Sequence, residues 1–570
     1  MLNITPLSRR QFVRGVTASS LGGLCFSRPT NATDGAQQAE PKGWVVSDSA
    51  PASEAGAEIL RRGGNAVDAA VATALALAVT LPEAGNLGGG GFMLIRPGDD
   101  GEPVCIDYRE TAPAKASATM FSPGESRLGH KVVGVPGTPR GLELAHQRFG
   151  KLPRKTLVEP AVRLAAEGFA VGPRLAANLN QLLASSPDFA ELRRVFGKQG
   201  GDWLPDDRLT QPELAGTLQQ LAERGVAAFY DGPIAEQIVA EMQRGGGLIT
   251  RADLASYQAK LRKPVRGSYR EFEILGAPPP SSGGIATIEA LNLLERFDLR
   301  RHDRWSGRTV HLLIEALRRA FCDRARWLGD PDFVEIPQRF LTKEYAERLA
   351  KGIDPQRATP SERLAPEIEL RPEGTETTHF SVIDAQGMAV ANTYTLEHSY
   401  GSRVVVRGAG FLLNNEMTDF NWQPGVTNRR GQIGTPANTI APGKRMLSSQ
   451  SPTLVLRDGR VVLITGSPGG RTIISTVVGL LVNVLEYGMD LQSAVDAPRL
   501  HHGWFPDVVQ SEGATQAAYA DLVKDLRGRG HAIDDKPHRQ GSANSIGVDP
   551  RTRKVYAVAD RRRGGAAASD

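Results

Sequence analysis

Glu376-Thr377-Thr378-His379-Phe380-Ser381-Val382-Ile383-Asp384 is the stretch on which the reading of this chain turns. Two threonines open a strand-like run deep inside the sequence, and a second half rich in Ser and Gly follows them. If the peptide bond before Thr377 is cut, that threonine carries both its hydroxyl and a free α-amine. A hydroxyl alone is a poor nucleophile, and pairing it with an N-terminal amine is one recognised way to activate it. The chain would then make its own active site, against the plainer reading of an ordinary strand start.

Ala385-Gln386-Gly387 follows as the loop of a hairpin. Centred on Gln386, the hairpin sets Thr377 opposite Thr395, so one threonine hydroxyl faces another. Glu397, two residues further on, projects to the same side near the hairpin mouth, where a carboxylate can accept an ammonium group. A one-residue slip in register would undo both placements.

Thr465-Gly466-Ser467-Pro468-Gly469-Gly470 sits after a strand pattern and before a helix pattern starting near Arg471. Successive glycine amides at a helix N-terminus suit an anion, or the oxyanion of an attacked carbonyl. A phosphate cradle competes, but the Gly-Lys-Ser/Thr ending of a P-loop is missing. Ser448-Ser449, preceded by Lys444-Arg445, offers hydroxyl donors beside positive charge, a setting for a carboxylate; by residue type alone it is equally a solvated turn. Asn414-Asn415-Glu416 with Asp419 supplies acceptors suited to an α-ammonium, or a loop cap. Arg109, just after the strand-like 105–108, suits bidentate carboxylate recognition or a surface ion pair.

The bulk properties are those expected of a soluble globular protein. The 570 residues carry 40% hydrophobic and 23% charged residues, which excludes a disordered chain. The length suggests one large bilobed α/β body. Net charge is +5, of which residues 1–36 contribute +3 through Arg9, Arg10, Arg14 and Arg28 against Asp34. The remaining +2 is no concentrated basic face, so nucleic acid is not an expected partner. Ser8-Arg9-Arg10-Gln11-Phe12 and the mildly apolar 13–26 read as a twin-arginine export signal, implying a periplasmic or secreted protein. Cys25 falls in that leader, where Leu24 is the wrong neighbour for a lipoprotein cleavage site. Cys105 and Cys322 are then too few for a disulfide framework or a zinc cage. The apolar runs 69–81 and 473–485 are short of the roughly 20 residues a membrane span needs and read as buried helices.

Along the chain, 44–46 begins strand-like, Arg62-Gly63-Gly64-Asn65 turns, and an alanine-rich helix runs to Pro82. Gly88 to Gly91 feeds a strand at 92–95. Residues 140–270 read as helices with polar faces, Pro278-Pro279-Pro280-Ser281-Ser282-Gly283-Gly284 as a rigid loop before a helix at 285–297, and 308–327 as a helix whose charges mark a solvated face. The Pro/Glu-rich 357–376 has the composition of an exposed connector. Strands are expected at 379–384, 388–396, 404–406, 411–413, 453–456 and 461–465, forming a sheet-rich layer covered by helices.

Together these residues resemble the γ-glutamyltransferase family of N-terminal-nucleophile hydrolases. The motifs that carry the resemblance run in order from about Trp44 onward: GGNAVDAAVATALAL, GNLGGGGFM, DYRETAPAKA, PPPSSGGIA, TTHFSVID, LLNNEMTDF, KRMLSSQSPT and TGSPGG. The resemblance implies an α/β fold, a four-layer αββα sandwich, autocleaved into large and small subunits. The organisation is then an export signal over 1–36, a large subunit over 37–376 and a small catalytic subunit over 377–570, the last two forming a heterodimer from one precursor. It further implies Thr377 as nucleophile, Thr395 as its hydroxyl partner and Gly469 with Gly470 as the oxyanion hole. The substrate would be held by Arg109 with Ser448 and Ser449 at its α-carboxylate, and by Glu416, Asp419 and Glu397 at its α-amine. The cut falls between Glu376 and Thr377, and no metal or organic cofactor is needed. The implied activity is transfer of a γ-glutamyl group from a glutathione-like donor to water or to an amino-acid or peptide acceptor. An acylase or amidohydrolase on γ-glutamyl polymers or glutaryl-β-lactam side chains is the alternative on the same fold. An uncleaved periplasmic binding protein is the non-enzyme alternative. Two positions depart from the family pattern. Glu397 stands where well-known transpeptidases have asparagine, and Asn428-Arg429-Arg430-Gly431 is basic where some bacterial members place an aromatic lid residue.

Overall fold

In the computed structural model, which describes residues 43–99, 101–365, 377–426 and 435–570, two antiparallel sheets stack face to face. The first runs Ala566–Ser569, Trp44–Ser47, Thr378–Ile383, Ala389–Thr395, Gly90–Arg96, Val104–Asp107, Lys260–Arg262. The second runs Val555–Val558, Ser545–Val548, Arg460–Thr465, Thr453–Arg457, Phe272–Gly276, Val265–Tyr269.

Strand alternation builds the layers. Val46, Phe92, Leu94, Ala391, Leu275, Leu454 and Ile464 point into the space between the sheets. Their neighbours Val45, Met93, Ile95 and Val390 point the other way, into a core roofed by the helices Ala50–Arg61 and Ala66–Thr80. On the far side, Ile274, Val455 and Leu463 pack under Gly283–Leu294, Gly307–Trp327 and Thr472–Leu481. The order is helix, sheet, sheet, helix: an αββα sandwich.

The alanine-rich helix is started by a capping box, in which the Asn65 side chain accepts from the Asp68 amide and Asp68 accepts from the Asn65 amide. Every one of its residues is buried, which explains an apolar run with no polar face. The second apolar run is likewise buried, as Thr472–Leu481 continued by a π turn over Val482–Glu486. No helix of the described residues is long and apolar enough to cross a membrane.

Four expectations need correction. The described residues form one unit, not two lobes, because the first sheet interleaves strands from both ends of the chain and the second joins strands from before and after Thr377. The region 140–270 also contains the strands Lys260–Arg262 and Val265–Tyr269. Segments 404–406 and 411–413 are not strands; they meet in a single bridge, Val405 with Leu412, in a tight excursion turned by Gly408 and Gly410. The charged face of Gly307–Trp327 is not solvated: Arg318, Arg319 and Arg324 are 1%, 3% and 5% exposed. Glu315 pairs with Arg318 and Arg319, and Asp507 with Arg318, so their charges are neutralised inside the helical layer. The leader 1–36, the 366–376 part of the connector with Glu376, and the 428–431 stretch lie outside the described residues.

Candidate active site

The hairpin has the register expected of it, with Ile383 opposite Ala389 and Thr378 opposite Tyr394. One step beyond the ladder, Thr377 Oγ1 donates to Thr395 Oγ1 over 3.4 Å, both residues being buried. Thr395 Oγ1 also accepts the Glu397 amide at 2.8 Å, which fixes that hydroxyl. The start of the strand is pinned from below. Thr378 Oγ1 donates to Asp48 (3.2 Å), Asp48 also accepts from Ser542 and Asn544, and Arg563 donates to the Thr377 carbonyl at 3.3 Å. Burial raises the Asp48 pKa, opposed by the nearby Arg563 charge. His379, next along, bonds Thr393 and Ser381, and burial pushes its pKa down to about 3, so it is neutral at physiological pH.

Thr377 and Thr395 open onto a cavity also lined by Arg109, Arg324, Glu397, Asp419, Ser448, Ser449, Gln450, Gly470 and Arg471. The loop before Thr472–Leu481 forms one wall. Gly469 and Gly470 hold φ of 124° and 54°, a backbone that favours glycine. Gly466 is required for a different reason: a Cβ there would lie 2.4 Å from the His379 ring, so this loop packs directly on the strand that starts at Thr378. Among the described residues the Gly469 and Gly470 amides have no hydrogen-bond acceptor, while the Gly469 carbonyl accepts from Thr472. Gly470 faces the cavity; Gly469 sits one residue behind it.

At the other side, Arg109 is buried among carboxylates: Nη1 lies 2.7 Å from Glu416 and Nη2 bonds Asp419, with the Met446 and Leu447 carbonyls alongside. Burial opposes its charge, but Glu416, Glu110 and Asp419 outweigh that and raise its pKa further. The acids respond in kind. Burial lifts Glu110 to about 8 against the pull of Arg109, and lifts Glu416 and Glu397 well above the usual carboxylate range. For Glu397 the Asp419 charge adds to the rise. Glu397 holds a positive φ of 78°, a costly conformation for a side-chain-bearing residue, and its Oε2 is 3.0 Å from His398 Nε2. Glu416 is not on the cavity wall; it stands behind Arg109.

All candidate site residues within the described range except Glu416 and Gly469 therefore line one cavity. Sequence reasoning missed Arg324, Arg471, Gln450, Asp48 and Arg563. Arg471 was in view as the residue after the glycine pair, whereas Arg324 was hidden among helix charges. Only one set of side chains among the described residues has the spacing for a metal, His311, Glu315 and His531. Its Glu315 is already engaged by Arg318 and Arg319, and Arg318 also reaches His531, so a cation there would meet two guanidiniums.

Comparison with known proteins follows this geometry. The γ-glutamyltranspeptidase family model matches residues 52–570. The glutathione hydrolase proenzyme of Escherichia coli (strain K12) is 44% identical over 530 residues, covering 91% of this chain and 90% of that protein. The acylase ACY 1 proenzyme of Pseudomonas sp. (strain SE83) is 38% identical over 528 residues, 89% of this chain and 90% of that one. The crystal structure of cephalosporin acylase from Bacillus halodurans superposes with a TM-score of 0.81 at 27% identity, over 93% of this chain and 96% of that chain. A sandwich of the same build and a sequence match from residue 52 to residue 570 place the chain in one family: it belongs to the γ-glutamyltranspeptidases.

Proposed function

We propose that this chain is a self-processing γ-glutamyltransferase and glutathione hydrolase that cleaves γ-glutamyl amides through an ester on Thr377. The acyl group passes to water or to the amine of an amino acid or peptide. One observation carries the reading: the Thr377–Thr395 hydroxyl pair opens onto a cavity lined also by three arginines, Arg109 among them, two carboxylates and two serines, a set matched to the two charges of an α-amino-acid head.

Maturation begins when Thr377 Oγ1 attacks the Glu376 carbonyl. The acyl group moves from nitrogen to oxygen, and water hydrolyses the ester, releasing residues 37–376 and 377–570 as the two subunits. In turnover the new α-amine, ordinarily titrating at about 7.7–8.0, takes the proton of the Thr377 hydroxyl as it attacks the γ-carbonyl. The Gly469 and Gly470 amides receive the oxyanion; losing one such donor typically costs about 3–4 kcal/mol. The donor's α-carboxylate takes Arg109, Ser448 and Ser449. Asp419, the more exposed of the acids now on Arg109, is displaced and turns with Glu397 to the α-ammonium, while Glu416 stays behind Arg109 as its buried counter-charge.

Purified protein tests this reading directly. Sequencing should find a new N-terminus at Thr377, and γ-glutamyl-anilide should be cut, faster with a dipeptide acceptor. An intact chain, or processed protein that spares the anilide, would overturn it. The acylase names among the relatives favour a second reading, hydrolysis of glutaryl amides. Glu397 and Asp419 argue against it, because an acyl group without an amine brings no ammonium for these two acids to hold. For the leader we propose twin-arginine export to the periplasm or beyond; replacing Arg9 and Arg10 by lysine should hold the protein in the cytoplasm.

A further inference from the structure

The 278–284 loop and Arg324, one of the buried arginines of Gly307–Trp327, have no part in the reaction proposed for Thr377, yet they meet at the Ser448-Ser449 pair. Ser281 bridges to Ser448 and its hydroxyl bonds the Gln450 carbonyl. The Ser282 amide (2.8 Å) and hydroxyl (2.6 Å) both donate to the Ser448 carbonyl. Gly283 packs so closely that a Cβ would lie 2.3 Å from the Gln450 carbonyl. Arg324 closes the arrangement: its Nε donates to Ser282 Oγ at 2.9 Å and its Nη2 to Ser449 Oγ at 3.0 Å.

Hydroxyl bookkeeping gives this geometry a direction. A serine hydroxyl has one proton and two lone pairs, and a guanidinium can only donate. Ser449 Oγ must therefore accept from Arg324, which leaves its own proton to be given elsewhere, and the residue lines the cavity. Ser448 Oγ is treated alike, accepting the Gln450 amide at 3.1 Å. Both hydroxyls thus have a fixed donor behind them and a proton to offer in front. A charged donor behind a hydroxyl also strengthens the bond that hydroxyl makes ahead.

We propose that Arg324, braced by Ser282, is a positioning residue that orients the Ser449 hydroxyl as a donor to the substrate's α-carboxylate. The inference rests on the γ-glutamyl reading of the same cavity. It explains why the arginine is buried on the inner face of a helix, where a lysine could not bridge two hydroxyls with a planar fork. It also assigns the Ser281-Ser282 loop the task of holding Ser448 and Ser449 from behind.

The test compares Arg324→Gln, Ser449→Ala and the double variant, each first shown by gel to be processed. With γ-glutamyl-anilide, Arg324→Gln should raise KM about tenfold with kcat within about threefold. In the Ser449→Ala background the same change should add nothing, and Arg324→Lys should recover only part of the loss. γ-Aminobutyryl-anilide, which lacks the α-carboxylate, should be handled alike by wild type and Arg324→Gln. A full-sized effect in the Ser449→Ala background, or a fall in kcat at unchanged KM, overturns the proposal. If Arg324→Gln is not processed, Ser282→Ala decides: a raised KM that vanishes beside Ser449→Ala supports it, and an unchanged KM overturns it. Calorimetric titration with L-glutamate separates this inference from the functional reading. A wild type that binds L-glutamate but spares the anilide fails the functional reading, and the Kd ratio of Arg324→Gln to wild type then decides the role of Arg324. A wild type that does not bind L-glutamate fails both.

Discussion

The Thr377 hydroxyl is held by its place at the mouth of a hairpin rather than by a histidine. His379 is two residues away but is neutral and already bonded to Thr393 and Ser381. Thr377→Ala should therefore leave one uncut band on a denaturing gel and no γ-glutamyl-anilide hydrolysis, whereas Thr377→Ser should still be cut, more slowly. Two bands from the alanine variant would remove the self-cleavage step. Glu397 carries the specificity question. Replacing it by asparagine should lower the preference for γ-glutamyl over glutaryl anilide, as a ratio of kcat/KM, by tenfold or more; an unchanged ratio would take Glu397 out of donor recognition. At this scale the sequence was legible where local geometry decides. Counting outward from Gln386 paired Thr377 with Thr395 because an antiparallel ladder without a bulge pairs residues one to one. Arg324 was not legible, because its partners Ser282 and Ser449 lie 42 and 125 positions away and no periodicity links them.

Among the elements, the loop 465–470 is tied to the strand that starts at Thr378 through one close approach. Gly466→Ala drives a methyl group into the His379 ring and should cost about 1–3 kcal/mol of stability. It should also lower kcat more than it raises KM, since the displaced loop carries the amides proposed to receive the oxyanion; a shift in Tm with unaltered kinetics would separate the two roles. The helix Gly307–Trp327 shows where pattern reading fails. Arginines at helical spacing predict a wet face, because an unpaired buried charge is prohibitive. Glu315 of the same helix meets Arg318 and Arg319 at the i,i+3 and i,i+4 spacings, but Asp507 and the carbonyl of Gly352 arrive from sequence-distant segments, and no helical period can announce those two. The all-apolar helix Ala66–Thr80 was legible for the converse reason: its burial needs no partner of a particular chemistry.

The whole molecule keeps several histidines uncharged. Burial pushes His379 and His531 down to about 3 and His398 and His502 to about 4. In the unfolded chain each binds a proton near pH 6.5, but the folded state does not until pH 3–4. The stability they contribute is thus complete above about pH 6.5 and lost as pH falls toward 4, at up to about 1.4 kcal/mol per pH unit for each. Glu110, lifted to about 8, acts in the opposite sense, losing its contribution as pH rises from about 4.5 to 8. The informative quantity is therefore a difference. Between pH 7 and 5, Tm of His502→Gln should fall less steeply than that of wild type, and parallel slopes would mean that His502 titrates normally. Strand alternation made a sheet-rich layer covered by helices readable and the family resemblance implied the two-sheet sandwich, but the single-unit organisation was not readable, since the interleaving of early and late strands is a property of topology.

That interleaving brings the chain back on itself. Ala566–Ser569 pairs with Trp44–Ser47, and the Asp570 amide donates to the Gly43 carbonyl at 3.2 Å. A circular permutant could therefore be joined from Asp570 to Gly43 by a short linker, start at Thr377 once its initiator methionine is trimmed, and end near Ala365. Such a polypeptide would present the threonine amine from birth, with no scissile bond at all. It should hydrolyse γ-glutamyl-anilide as a single chain, and if it folds yet stays inert, the backbone cut must accomplish something besides uncovering an amine.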